Sequence, residues 1–333
     1  MKTSIARGTA AATSLAVAMV LPAPSNSAAA EPPGYPSRPV TLIVPGPAGS
    51  GTDLIGRLVA EKLGAAMQTN LVVENRAGAS GMIGVQQLMR AKPDGYTILL
   101  GHNSSHVIVP LVTHPKPYDG VDDFELVGRI GTSSNVLVTS ASSPYQTVDS
   151  LKQRAGGGDP IKYGSPGVGL SQHLDGFALL SELGVPGLHV PYKGSGPALT
   201  DLIGGRIDIM FVTPPAVKAA LEGGKVRALA QSSEKRQRSF SDVPTLNELG
   251  YPKLVSQSWW GLFAPKATPT PVVERLHSKL NEILENKDVQ NALHQMYIEV
   301  APSASPAEFA QWVKRDTEKW KRVVDEAGVS LKQ

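Results

Sequence analysis

The residues that could do chemistry sit in short polar loops rich in glycine and serine. The first runs Pro45-Gly46-Pro47-Ala48-Gly49-Ser50-Gly51 and leads into Thr52 and Asp53. Further loops hold Asn103 and Ser104, then Gly167 to Ser171, then Lys193-Gly194-Ser195-Gly196-Pro197, and finally Thr213. Ser50, Thr52, Asn103, Ser104, Ser171, Lys193, Ser195 and Thr213 supply hydroxyls, amides and a single amine. That set suits reversible capture of a carboxylate by backbone N–H groups and hydroxyls, with no arginine clamp. It is a chemistry of binding rather than of bond breaking. Asp53 sits at an expected helix start, where a carboxylate can cap backbone N–H groups as readily as it can touch a ligand. Asp208, flanked by Ile207, Ile209 and Met210 in an expected strand, needs a partner or a cleft.

Other chemistries fit less well. A P-loop needs Gly-Lys-Ser/Thr, and here Gly51-Thr52 comes without the lysine. A dinucleotide fingerprint finds an acidic residue in Glu74, but the glycine spacing is wrong. No Gly-x-Ser-x-Gly occurs. Ser171, His173 and Asp175 alternate on a helix start and so point apart, a poor triad. His102 and His106 are four apart without the glutamate of a metalloprotease, and are expected to be a solvated loop pair. No metal site and no cofactor is expected. A blander reading remains, in which the first loop is only a tight turn packing a helix on a sheet.

The elements that must position these loops follow from periodicity. Val40 to Val44 reads as a buried strand, and Leu54, Ile55, Leu58, Val59 and Leu63 recur at helical spacing from about Thr52 or Asp53. Strand, glycine loop and helix N-terminus together present free N–H groups to an anion. The pattern repeats with strands at Leu71–Glu74 and Thr97–Leu100, the latter ending in a polar loop, Gly101 to Ser105. Strands at Phe124–Ile130 and Val136–Val138 follow, and Thr147 to Ala155 reads as a helix stopped by Gly156 to Gly158. A second series has strands at Ile161–Gly164, Leu188–Pro191, Ile207–Val212 and Val226–Ala230, with helices at Ser171–Leu183, Pro197–Ile203 and Pro214–Glu222. Ser256 to Ala264 reads as a central strand. Trp259 and Trp260 fall on its opposite faces, one expected in the core and the other free to wall a cleft. The C-terminal part is helical, with Ser305 and Glu308 predicting a capping box before Pro306–Ala327. Alternating strands and helices imply parallel α/β units with ligands at the carboxyl ends of the strands.

Lys2 and Arg7, the mildly apolar stretch Thr9–Leu21 and the small residues Ser27 to Ala30 read as a secretory signal peptide over residues 1–30, cleaved near Ala30. Without Lys2 and Arg7 the basic count falls from 32 to 30 against 29 acids, a net charge near +1. That charge leaves no footprint for nucleic acid or an acidic membrane surface. The absence of cysteine excludes disulfides, thiolate metal sites and a lipidated N-terminal cysteine.

Several stretches resemble the Bug-type receptors, the extracytoplasmic solute-binding proteins of tripartite tricarboxylate transporters. They are Tyr35-Pro36-Ser37-Arg38-Pro39-Val40, Val44-Pro45 with Gly49-x-x-Thr52-Asp53, Val73-Glu74-Asn75-Arg76 with Gly78-Ala79 and Gly81, and Pro93 to Thr97. Val190-Pro191-Tyr192-Lys193-Gly194-Ser195-x-Pro197, Gly204-Gly205-x-x-Asp208, Asp242 to Thr245 and Ser258-Trp259-x-Gly261-Leu262 continue the likeness to about Gly328. The resemblance implies a two-lobed, type II periplasmic-binding-protein-like α/β fold with a ligand cleft between the lobes. Residues 31–136 and 257–333 would form one lobe and 137–256 the other, with crossover strands near Asn135–Ser140 and Gln257–Leu262. One carboxylate would be held between Gly49–Asp53 and Gly194–Pro197, with Gly167–Ser171 and Thr213 lining the rest. The implied partners are a small organic acid and membrane transporter subunits, with the chain itself a monomer, periplasmic and not an enzyme. Gly46 departs from the family pattern, which has an aromatic residue after the proline, and Ser50 stands in for a second glycine. The lost ring is expected to admit a bulkier aromatic or longer-chain acid. A receptor that presents its ligand to a membrane kinase is the runner-up, and a secreted hydrolase the reading of another class.

Overall fold

The computed structural model describes residues 1–4, 34–153, 158–328 and 330–332. Two compact units divide the chain, residues 1–30 and 31–333, and the account below concerns the second. The signal-peptide reading and the core of the glycine stop at Gly156 lie outside the described residues.

The chain runs β1 (Val40–Val44), α1 (Gly51–Ala66), β2 (Leu71–Asn75), α2 (Met82–Met89), β3 (Thr97–His102), α3 (Val109–Val112), β4 (Thr113–His114), β5 (Phe124–Ser133) and β6 (Val136–Ser140). It continues α4 (Val148–Lys152), β7 (Ile161–Ser165), α5 (Ser171–Leu183), β8 (Gly187–Pro191), α6 (Ser195–Ile203), β9 (Ile209–Val212), α7 (Pro214–Glu222) and β10 (Val226–Gln231). It closes with β11 (Ser258–Pro265), α8 (Thr270–Glu285), α9 (Lys287–Gln295), β12 (Glu299–Val300), α10 (Pro306–Ala327) and β13 (Leu331–Lys332), which pairs with β4.

Two mixed sheets carry the fold, as expected for an α/β chain of this type. The first is ordered β12-β5-β11-β3-β1-β2, the second β10-β6-β9-β7-β8. β1 shows why its residues choose a strand. Its side chains are β-branched or leucine, and both faces are buried, as parallel strands under helices require. Leu42 and Val44 enter the core beneath α1, while Ile43 enters the opposite core with Trp259. The period of two divides one strand between two cores. α1 lays Ile55, Val59 and Leu63 on the first of these. It comes so close to β1 that a Cβ at Gly56 would lie 2.6 Å from Val44 Cγ2.

Register places the polar loops. β1, β2 and β3 are parallel, so their carboxyl ends share an edge. β11 is antiparallel and starts at that edge, with Trp260 opposite His102. β5 ends there, with Ser133 opposite Ser258. Only Ser134 and Asn135 then separate it from β6, which starts opposite Val212, the carboxyl end of β9. The carboxyl edges of the two sheets therefore face each other across the crossover. Hydrogen bonds stitch the passages together: Ser232 N–H to Asn135 O at 2.9 Å, Asn135 N–H to Ser232 Oγ at 3.0 Å, and Ser256 N–H to Ser232 O at 2.8 Å.

Several local expectations shift. The polar loop after β3 is a wide, π-type helical turn, Ser104–Ile108. His106 is not solvated there. It is 1% exposed and stacks on Phe263 with ring centroids 3.8 Å apart. Burial and the neighbouring His102 hold its imidazole well below the usual histidine range. β9 begins at Ile209, two residues later than expected, and α6 begins at Ser195, two residues before Pro197. Ser305 Oγ accepts from Glu308 N–H as predicted, but the Glu308 carboxylate turns back to Ala304 N–H rather than to the cap residue itself.

Candidate functional site

The first loop is built around Asp53, 1% exposed. Its Oδ2 accepts from Gly49 N–H at 2.8 Å and Arg57 Nε at 2.9 Å, and its Oδ1 accepts from Asn75 Nδ2 at 2.9 Å. Asn75 Nδ2 also donates to Gly46 O at 3.0 Å, and Arg57 Nη2 reaches Asn75 Oδ1 at 3.3 Å. Burial pushes the carboxyl pKa up, but the bonds from Arg57, Gly49 and Asn75 outweigh it and hold the group below the ordinary aspartate range. Both carboxylate oxygens are thus spent on shaping the loop.

That shape leaves donors over. Ser50 caps α1, its Oγ accepting from Asp53 N–H at 3.3 Å. The first-turn N–H groups of Gly51 and Thr52 have no acceptor within the helix. Thr52 Oγ1 is met by Trp260 Nε1 at 3.4 Å. Gly49 needs its φ of +79°, which a side chain would resist. A Cβ on the buried Gly46 would lie 3.0 Å from Ser50 Oγ and 3.6 Å from Thr52 Cβ, so any side chain there would project over the helix N-terminus.

The second sheet supplies a similar end. Gly194, at φ +115°, turns the chain into α6, whose first N–H groups belong to Ser195 and Gly196, Pro197 having none. The loop is anchored by Tyr192 N–H to Ser165 O at 2.9 Å and Gly194 N–H to Pro166 O at 3.0 Å. Tyr192 Oη braces the helix through Asp201 Oδ2 at 2.8 Å. Lys193 is exposed. Beside it, Ser165 Oγ donates to Gly167 O at 2.9 Å and shares a 2.7 Å bond with His189 Nε2. His173 Nδ1 accepts Gly169 N–H at 3.2 Å, which fixes that nitrogen as unprotonated. Two stacked histidines, centroids 3.7 Å apart, therefore hold the Gly167 loop.

The remaining candidates divide. Thr213 follows β9 and precedes α7 without spending its hydroxyl as a cap. Asn103 is buried at the carboxyl end of β3, its Nδ2 without a protein partner among the described residues, and Ser104 beside it is half-buried. Ser171 is buried at the start of α5, but its hydroxyl faces Gln172 Oε1 and Asn135 Nδ2 at 3.3 and 3.4 Å, inside the crossover. Asp208 lies elsewhere. It precedes β9, at the edge opposite the loops, and its carboxylate accepts Lys162 N–H at 2.8 Å. The partner that a strand-flanked aspartate needs is this backbone N–H. Ser171, His173 and Asp175 form no relay. Asp175 accepts instead from Asn135 Nδ2 and Ser256 Oγ, each at 2.7 Å, and burial lifts its pKa to about 6. A 540 Å³ groove lined in part by Lys253, Lys319, Arg322, Glu182 and Glu326 contains none of these loops.

The sequence marks the outward member of the Trp259–Trp260 pair as a cleft wall, but does not single out Asn75 or Arg57 as site residues. Arg57 was legible as the i+4 partner of Asp53, and Trp260 as the outward member of its pair. Trp259 is fully buried and Trp260 half-buried. Nothing local marks Asn75.

Two α/β halves with helix N-termini on facing edges define a class of solute-binding receptors. The chain belongs to the family described as the tripartite tricarboxylate transporter family receptor, whose model matches residues 55–329. It is similar to the solved periplasmic binding protein BugD, 35% identical with a TM-score of 0.74, covering 90% of this chain and 100% of that one. It is also similar to R. palustris Rpa4515, solved with adipate, 32% identical with a TM-score of 0.78 over 90% of this chain and 100% of that one. A third, MatC from Rhodopseudomonas palustris with bound malate, is 28% identical with a TM-score of 0.75 over 87% of this chain and 100% of that one. The family is one of receptors, not of enzymes.

Proposed function

We propose that this receptor captures a small organic acid and delivers it to the membrane subunits of a tripartite tricarboxylate-type transporter. The observation that carries the reading is the pair of glycine-shaped helix N-termini, at Gly51–Thr52 and Ser195–Gly196, on edges that face each other. Each offers unspent N–H groups and the positive end of a helix dipole, which favour a carboxylate. The ligands in the related structures, adipate and malate, are both carboxylates. Gly46, Gly49, Ser50, Gly51 and Thr52 would line one jaw, and Lys193 to Pro197 the other. Gly167, Asn103, Ser104 and Thr213 complete the wall, with Asp53 and Ser171 acting from behind. Residues 31–136 with 257–333, and residues 137–256, would move as the two lobes. Closure would exclude water and strengthen every polar contact. In this reading residues 1–30 direct export and are cleaved near Ala30, and the mature protein is a periplasmic monomer that breaks no bonds.

Isothermal titration of the purified protein with succinate, adipate, malate and terephthalate tests the reading. At least one acid is expected to bind with micromolar affinity or better, about −8 kcal/mol. Gly46 is expected to favour the bulkier acids, and tight binding of succinate alone would count against that part. Ser195→Trp places a large side chain at the N-terminus of α6 and is expected to weaken binding at least about tenfold, roughly 1.4 kcal/mol. Unchanged affinity in that variant would show that the second jaw has been misplaced.

A further inference from the structure

Trp260 is a half-buried aromatic at the edge of the first sheet, and the fold does not fully use it. It stands on β11 opposite His102 and Gly131, beside the crossover into the second sheet. Part of its ring packs on the core under α1, and the rest stays open. Its indole N–H points at Thr52 Oγ1 across 3.4 Å, longer than the usual 2.9–3.0 Å of an N–H···O bond. A buried or half-buried indole N–H ordinarily finds a good partner. Here the donor is under-satisfied and sits beside the free N–H groups of the α1 first turn. The loops around it are short of charge: Lys193 is the one cationic side chain among the proposed lining residues, and it is exposed.

We propose that Trp260 is a ligand-contact residue that sets specificity. Its N–H joins Gly51 and Thr52 in holding the carboxylate, and its ring face lies along the first carbons of the acid. A ring face rewards hydrocarbon and penalises a hydroxyl that loses water against it without a partner. The site therefore selects carboxylic acids with a hydrocarbon body, chain or ring, over small hydroxy acids. This inference rests on the carboxylate-receptor reading above.

The test combines titration calorimetry with tryptophan fluorescence on the whole mature protein, using adipate, benzoate and malate as probes. Wild type is expected to bind adipate or benzoate at least about tenfold more tightly than malate. Trp260→Phe removes the N–H and keeps a ring, so it is expected to weaken all three acids by about three- to tenfold and leave their order intact. Trp260→Ala is expected to erase the preference. The ligand-induced fluorescence change should persist in Trp312→Phe and vanish in Trp260→Phe, with circular dichroism confirming that each variant is folded. A Trp260→Ala protein with wild-type affinities and a wild-type order overturns the assignment. So does a wild type that prefers malate, which leaves the receptor reading standing. If wild type binds none of the three acids but takes succinate or terephthalate, that choice of a hydrocarbon body over malate supports the selectivity, and Trp260→Ala with unchanged affinity for that acid overturns the assignment. If no acid binds at all, the receptor reading falls and the inference falls with it.

Discussion

Stability is expected to drop by about 2–4 kcal/mol between pH 7.5 and pH 5, because buried histidines outweigh buried aspartates. Burial holds His102 and His189 at about 4, and burial with the neighbouring His189 holds His173 at about 4. His106 lies well below its ordinary value for the same reason. An unfolded histidine titrates near ~6.5. Between these values the unfolded chain binds more protons, so the stability is complete above about 6.5 and is lost as the pH falls toward 4. Each imidazole that stays neutral at pH 5 then costs about 2 kcal/mol. His106 and His173 count fully, while the half-buried His102 and His189 count less because solvent screens them. Asp175 and Asp316 act in the opposite sense. Burial raises both to about 6, so the folded state binds the extra proton below that pH, and each returns about 1.4 kcal/mol at pH 5. Urea midpoints at pH 5, 6 and 7.5 measure the balance. His173→Asn keeps an acceptor for Gly169 N–H and removes the titration, so its slope should be shallower by about 2 kcal/mol over that range. Asp175→Asn should steepen it. A His173→Asn protein that tracks wild type at every pH would refute the assignment.

Replacing Asp53 with alanine is expected to lower ligand affinity about 100-fold, close to 2.7 kcal/mol. The substitution strands Gly49 N–H, one side of Asn75 and Arg57 Nε, and the loop loses the group that orients its free donors. The stability cost is smaller, about 1–3 kcal/mol, because Arg57 is 55% exposed and can turn to water. For the same reason Arg57→Ala should lower affinity only a few-fold. The folded pKa of Asp53 lies below its unfolded value of about 3.9, so its contribution is complete above that pH and fades only as the pH falls through the depressed folded value. Affinities measured at pH 5 and pH 8 should therefore report the same Asp53 effect. Calorimetry on Asp53→Ala, with thermal melts to separate affinity from folding, decides the point. Wild-type affinity in that variant would sink the positioning role.

Much of the fold was legible because its signals are local. The β-branched run at Val40–Val44, the cap at Ser50 and the apolar stripe Ile55–Val59–Leu63 each depend on neighbours a few residues away. So do the long C-terminal helix and its Ser305 cap. The polar loops were legible as a set, since glycine-rich turns after parallel strands must gather at one edge. Other placements depend on partners distant in sequence. Asp208 looked functional because its partner, Lys162 N–H, lies 46 residues away and carries no side-chain signal. His102 and His106 looked like a solvated pair because nothing near them announces that Phe263 will cover His106. Ser171 looked like a ligand hydroxyl, yet Asn135 and the crossover claim it.

The opening chemistry can be divided on the same ground. Amino-acid order alone determined that this chain makes two α/β units, that their loops are poor in charge and rich in N–H donors, and that the first loop feeds a capped helix. Those properties follow from backbone sterics, hydrophobic period and capping, which act over one or two turns of chain. Tertiary structure alone decided which donors remain free. Asp53 is consumed by Gly49, Asn75 and Arg57. Gly51 and Thr52 are left open, and Trp260 is brought to Thr52 across 208 residues of sequence. Whether a polar group binds a ligand or holds the fold depends on which neighbour satisfies it first, and that neighbour is chosen by packing between distant segments.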